Sequence, residues 1–445
     1  RGTMDWDSLL QPYRLGCPKD SFDGERGRSE FHRDFDRIIF STHFRRLFGK
    51  TQVVPFPNSD LTHNRLTHSL ETASVGRSLG NYLKEDVKSS LRDKPYDIGA
   101  LVAAACLAHD IGNPPLGHSG ESAIQKFFAD NRDTYLKDLT ADQQADFLNF
   151  DGNAMGFRML THSNIKKTSN PGGLGITLPT LSAFVKYPCA SYEVKAQGGT
   201  VGEYKKGGLF SADVGTYSDI AFDLKIPRID NHDCWQRHPL TYLVEAADDI
   251  CNCIIDFEDG YKHQIIAYDD LYEKLKPIAE ERCKNIDTNL QRIKSYTEKA
   301  GYLRAKAINS LVIQAGESFV EHMEEYRSST IKVPLIKTVQ SAETIEKIKE
   351  ISKEKLYNQY DVLLKEIAGF KVLSGLLEIY LDATMNPECK RAEKIIRILP
   401  NDITKEFNED PYLTLMDITA YVCGMTDKFA VDRYRMLTGI EIPDY

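Results

Sequence analysis

The sequence predicts an all-α protein, and three observations carry that. Apolar residues recur at helical spacing through the first third of the chain and again from Pro239 onward. Strand-like runs never alternate with helices in the βαβ manner, and neither GxGxxG nor GxxxxGK[ST] occurs, which sets aside doubly wound and P-loop folds. Gly and Pro gather in one stretch, 166–238, and no short-period repeat is present.

Taken in order, Phe31, Phe35, Ile38, Ile39 and Phe44 predict a helix over 30–48, with Arg45 and Arg46 near its end. Pro55, Pro57 and Asn58 mark a loop, and a second helix covers 66–83. The strongly apolar run 96–110 is a helix stopped by Gly112 and Pro114-Pro115. Another helix spans 119–130. The stretch 166–238, with β-prone pieces such as 217–222, reads as an irregular insertion able to carry a small β-hairpin, its Gly/Lys-rich loop suited to a lid. Pro239 fits the first turn of a helix to about Phe257. Later helices cover about 267–297, 302–327, 341–368, 371–383 and 411–437. One compact body results: a first part (4–165), the insertion (166–238), and a completing and C-terminal helical part (239–445).

With 41% hydrophobic and 27% charged residues, disorder and low-complexity classes are excluded. The longest apolar run, Ile98 to Ala108, falls short of the ~20 residues a membrane helix needs. Arg1-Gly2-Thr3 ahead of Met4 reads as a leftover tag, and no secretion signal follows. Nine scattered cysteines without a CxxC pair read as reduced thiols of a cytoplasmic protein. The net charge of −9 makes the chain a poor general binder of polyanions, so any phosphate compound must meet locally gathered cations.

Four residue groups stand out by context: His68 in Asn64-Arg-Leu-Thr-His-Ser-Leu-Glu71, His109-Asp110 closing the apolar helix, His118 with Glu121, and Asp248 in Glu245-Ala-Ala-Asp-Asp-Ile250. A titrating pair at the end of an apolar helix is costly unless it binds something, and the helix dipole does not favour an Asp there. A bound metal resolves both problems; a His–Asp hydrogen bond holding the Gly-Pro-Pro turn is the competing reading of the dipeptide alone. His232-Asp233 has no apolar helix behind it and reads as a turn pair.

A first His, then His-Asp, then a distant Asp resembles the HD-domain metal phosphohydrolases. Within them the chain resembles the deoxyguanosine triphosphate triphosphohydrolases. The matches include Phe44-Arg-Arg-Leu-Phe-Gly-Lys-Thr-Gln-Val53, His109-Asp-Ile-Gly-Asn-Pro-Pro-Leu-Gly-His-Ser-Gly-Glu121, Lys186-Tyr-Pro188, Ser374-Gly-Leu-Leu-Glu-Ile-Tyr380 and Gly424-Met-Thr-Asp427. The resemblance implies an HD-type helical core and cleavage of a deoxynucleoside triphosphate, dGTP preferred, by water attack on the α-phosphorus, giving deoxynucleoside and inorganic triphosphate. It implies His68, His109, Asp110 and Asp248 as ligands of a divalent metal. A mixed N/O donor set can hold Mn, Mg, Fe, Ni, Zn or Co, so softness alone does not choose the metal, and Mn or Mg is the expectation.

His118 and Glu121 lie three apart at a helix start and share a face, so Glu121 can orient His118; the resemblance places both in catalysis. Asp248, Asn252 and Asp256 form one stripe, with Asp256 about 12 Å along the axis from Asp248. Asp249 points about 100° away, so it is not expected to be a ligand. By resemblance Asp256 and Gln52, with Val53, meet the sugar. Asn252 departs from the family's usual Tyr and removes a wall beside the sugar. Arg45, Arg46, Arg65, Lys186 and Tyr187 are the candidates for the triphosphate, while Lys225 reads as a solvated cation. The family further implies a homo-oligomer, often a hexamer, with Glu378 and 427–435 reaching a neighbouring subunit's pocket. It leaves open a nucleotide-sensing or single-stranded-DNA-binding scaffold. No membrane partner is expected.

Overall fold

The computed structural model describes residues 3–19, 27–52, 63–88, 97–162, 172–194, 204–229, 231–400 and 410–442, with the side chains of Glu85, Lys88 and His118 outside that description. Within it the chain is all-α, and β-pairing is limited to isolated bridges such as Cys189 with Cys234. Among the described residues no helix is long and apolar enough to cross a membrane.

The Ile98–Ala108 helix is the axis of the fold. Every residue of it is buried, the pattern of a helix with neighbours on all sides. The Arg65–Tyr82 helix packs on it most extensively, and the Glu30–Ile39 and Thr241–Lys262 helices flank it. Two glycines set the closeness of the first crossing: a methyl on Gly80 would lie 2.8 Å from Gly99 Cα. Beyond the axial helix the chain turns flat against the Gly152–Thr161 helix, where a methyl on Gly112 would lie 2.0 Å from Gly152 O. The C-terminal half closes the body. The Tyr296–Glu321 helix packs on Thr241–Lys262, and the Tyr360–Met385 helix on His118–Asp130.

Several expected helices are interrupted, and a capping hydroxyl explains two of the breaks. The 30–48 helix stops at Ile39 because Ser41 accepts from Phe44 N and starts a new helix, Thr42–Arg46. Thr426 likewise caps Asp427–Thr438 and separates it from Pro411–Cys423. The 267–297 and 341–368 segments divide after Glu280 and Lys355. The Lys390–Arg397 helix was not expected.

The β-prone piece 217–222 lies in a helix, Val214–Asp223. Tyr217, Ile220 and Ala221 are buried at spacings of three and four, so core packing overrides local β-propensity. Leu181, Phe184, Tyr217 and Trp235 of the 166–238 stretch belong to the same core as the axial helix. Cys189 and Cys234 are disulfide-bonded, which corrects the reading of all nine cysteines as thiols: the bridge lays the two residues side by side, a pairing distant in sequence.

Candidate active site

Each chemical group reaches the site from a helix end or face fixed by local sequence. Asn64 and Thr67 form a capping box at the start of the Arg65–Tyr82 helix, which directs His68 inward, 3% exposed. His109 and Asp110 follow directly on the axial helix. Asp248 comes from the middle of the Thr241–Lys262 helix.

His68, His109 and Asp110 offer ligand atoms within 4.8 Å of one another, a group that could hold a metal ion. Asp248 Oδ1 lies 3.0 Å from His68 Nε2 and 3.4 Å from His109 Nε2. His109 Nδ1 is 2.7 Å from the Cys106 carbonyl oxygen. A carbonyl only accepts, so Nδ1 carries a proton and Nε2 is the ring nitrogen that faces the carboxylates. Burial alone would lower the His109 pKa, yet Asp110 and Asp248 outweigh it and push it up to about 9. The spot therefore favours a positive charge, and its two imidazoles and two carboxylates fit a divalent cation. Although burial opposes ionisation, the same imidazoles hold Asp248 well below the usual carboxylate range. Asp110 is lowered as well, burial being outweighed by Arg65, whose Nη1 lies 2.7 Å from Asp110 Oδ2.

A cavity of about 490 Å³ opens beside this group. Its walls bring together Gln52, Arg65, Glu121, Lys186, Tyr187, Asn252 and Asp256. Glu121 Oε1 accepts from Gly152 N at 2.8 Å, which fixes the carboxylate. Lys186 Nζ pairs with Glu245 at 3.1 Å and lies over the Tyr187 ring. Asn252 donates to Asp248 Oδ1 at 2.7 Å and accepts from Gln52 Nε2 at 3.1 Å. Gln52 Oε1 is buried and has no hydrogen-bond partner among the described residues. Asp256 accepts from the Tyr357 hydroxyl at 2.9 Å, and burial pushes its carboxyl up to about 7.

Not every expected residue joins the site. Arg45 and Arg46 are exposed and do not line the cavity, and neither does the exposed Lys225. Val53 and the His118 side chain lie outside the described residues. Asp249 instead pairs with Lys349 at 2.9 Å. His232 pairs with Glu193 and Asp233 with Tyr192 and Arg228, a turn cluster. Glu378 lines a separate cavity of about 440 Å³. Asp427 bonds within its own chain to Thr51 and Leu116, which line the cavity.

Sequence reasoning missed Lys206, Tyr357, Lys365 and Glu366, all on the cavity wall. Lys206 Nζ lies 2.8 Å from Asp151 and 3.8 Å from Glu121. The Lys205-Lys206-Gly-Gly208 run was its only signal. Residues 357–366 carry no local signature, since they reach the site through tertiary packing alone.

The helical body and the His/His-Asp group define an HD-domain protein, and the HD domain family model matches residues 65–145. The relatives extend over the whole chain. A deoxyguanosinetriphosphate triphosphohydrolase-like protein of Pseudomonas aeruginosa is 37% identical over 99% of this chain and 100% of its own length. One of Synechocystis is 36% identical with the same coverage. The deoxyguanosinetriphosphate triphosphohydrolase of Yersinia pestis is 28% identical over 92% of this chain and 94% of its own. The chain belongs to the deoxyguanosinetriphosphate triphosphohydrolase-like family.

Proposed function

We propose that this protein hydrolyses deoxynucleoside triphosphates, dGTP preferred, to deoxynucleoside and inorganic triphosphate by water attack on the α-phosphorus. One observation carries the reading: Asp248 and Asp256, on one face of one helix, line the same cavity, with the His/His-Asp group at one end and neutral hydrogen-bonding groups at the other. His68, His109, Asp110 and Asp248 would hold a divalent metal, Mn or Mg. Bound there, such an ion would polarise a phosphate oxygen and lower the pKa of water.

The chain's own groups supply the rest. Arg65, Lys186 and Lys206 place positive charge along the cavity and meet a triphosphate that the net charge of −9 would otherwise repel. Glu121, fixed by Gly152 N, orients His118 one helical turn away, and His118 moves the proton between water and the leaving 5′-oxygen. Gln52 Oε1, without a hydrogen-bond partner among the described residues, accepts from a sugar hydroxyl, and Asp256 bonds the same end of the sugar. Tyr360, Leu363, Leu364 and Ile367 form an exposed apolar stripe next to the cavity, which supports a homo-oligomer.

Incubating the metal-loaded protein with each dNTP and separating the products tests the reading. Deoxynucleoside plus triphosphate is expected; monophosphate plus pyrophosphate overturns it.

A further inference from the structure

We propose that Asp427 is a positioning residue that sets two walls of the site at once, through two backbone amides. The inference rests on the reaction proposed above. Asp427 does not line the cavity. Its Oδ1 accepts from Leu116 N at 2.9 Å, and its Oδ2 accepts from Thr51 N at 3.0 Å. Lys365 Nζ joins the cluster, 2.8 Å from Asp427 Oδ2 and 2.5 Å from Thr51 Oγ1. The carboxylate is 13% exposed, so these bonds are shielded from water.

Each amide belongs to a segment with a task. Thr51 precedes Gln52, the acceptor placed toward the sugar. Leu116 precedes the helix that carries His118 and Glu121. Leu116 and Gly117 are both left-handed, at φ 68° and 64°. A leucine seldom adopts that conformation unless its surroundings impose it. The bond from Leu116 N to Asp427 is such an imposition, and it fixes where the catalytic helix begins. Lys50 clamps the same three regions from another side. Its Nζ donates to Asn113 O at 2.6 Å and to Cys423 O at 2.9 Å. A C-terminal helix start thus aligns the phosphate-side turn with the sugar-side loop, although it touches no substrate.

The two oxygens divide the labour, and that makes the idea testable. Asp427→Asn keeps the shape but sets an amide NH₂ against an N–H or an ammonium. Its kcat is expected to fall roughly 10- to 100-fold, since a displacement of ~1 Å at a reacting group costs that much, and its KM to rise. Lys365→Met leaves the Leu116 bond in place, so KM is expected to rise more than kcat falls. Metal content and melting temperature of both variants should stay near the parent's. Hydrogen exchange supplies a readout independent of activity: Thr51 and Leu116 amides should exchange faster in Asp427→Asn, Thr51 alone in Lys365→Met. Parental kcat and KM in Asp427→Asn overturn the proposal. Losses that merely track a lower melting temperature or metal content overturn it too. If the parent turns over no dNTP, the proposed function fails, while amide exchange still decides whether Asp427 holds the two segments.

Discussion

Asp248 and Asp256 are the same residue type on the same face of one helix, yet their surroundings move their pKa values in opposite directions. Asp248 is held ionised by His109 and His68 in spite of its burial. Asp256, 8% exposed and bonded to a neutral phenol, is pushed up to about 7 by burial. The two environments are about 12 Å apart along the axis. One end of the cavity is thus suited to a cation and the phosphates around it, the other to an uncharged hydroxyl. Residue identity and spacing alone do not reveal this polarity; the partners do.

The sharpest way to break the comparison is at the charged end. His109→Ala is expected to lower kcat/KM roughly a thousandfold or more, the weight of several kcal/mol of charge stabilisation. Metal content should fall with it, measured on the purified variant, and chelation of the parent should reproduce the loss. Undiminished turnover in His109→Ala would remove the metal from the mechanism. Next in size are Lys186→Ala and Lys206→Ala. Each removes a cation from the cavity wall that the proposed function sets against the phosphates, and is expected to raise KM roughly 10- to 100-fold with a smaller effect on kcat. An unchanged KM in both, by steady-state kinetics, would place the triphosphate elsewhere.

The helical class was legible because it rests on local patterns, whereas the grouping of His68, His109, Asp110 and Asp248 came from the family resemblance. Apolar spacing announced the axial helix, and an interval of eight residues aligned Asp248 with Asp256. Helix breaks at Ser41 and Thr426 escaped because a single hydroxyl cap decides them. The helix over Val214–Asp223 escaped because burial of Tyr217 and Ile220 overrides local preference. Tyr357 and Lys365 escaped because nothing near them in sequence says which wall the fold will bring them to. The exposed positions of Arg45 and Arg46 show the converse: a matching local motif does not guarantee a cavity-lining side chain.

At the neutral end, Asp256→Asn separates stability from function. The folded-state pKa of Asp256 is raised, so between about pH 4 and 7 the folded protein keeps a proton that the unfolded chain has lost. Stability from this group is complete below pH 4 and is lost as pH rises to 7, an upper bound of roughly 4 kcal/mol by the usual 1.36 kcal/mol per pKa unit. Asn retains the acceptor for Tyr357 without that penalty. Its melting temperature relative to the parent should therefore be higher at pH 8 than at pH 5, while kcat/KM falls roughly tenfold with the lost sugar contact. A difference in melting temperature that is flat with pH would show Asp256 to be ionised normally.

Asn252 joins the two ends, and its replacement should give the smallest effect. It donates to Asp248 and accepts from Gln52, so it couples the charged carboxylate to the sugar-side amide. It is also shorter than an aromatic residue and leaves room where a ring would stand. Asn252→Tyr fills that room and breaks the bridge. The added ring should exclude a 2′-hydroxyl, a steric contrast worth roughly 1–3 kcal/mol in a fitted pocket. Freed from Asn252, the Gln52 amide turns more easily, which costs part of the gain. The expected net result is a dNTP-over-NTP preference raised severalfold at little change in kcat for the best dNTP, read from kcat/KM for matched dNTP and NTP pairs. Equal ratios in variant and parent would mean that Asn252 serves the bridge alone, and that the 2′ position is read by another wall of the cavity.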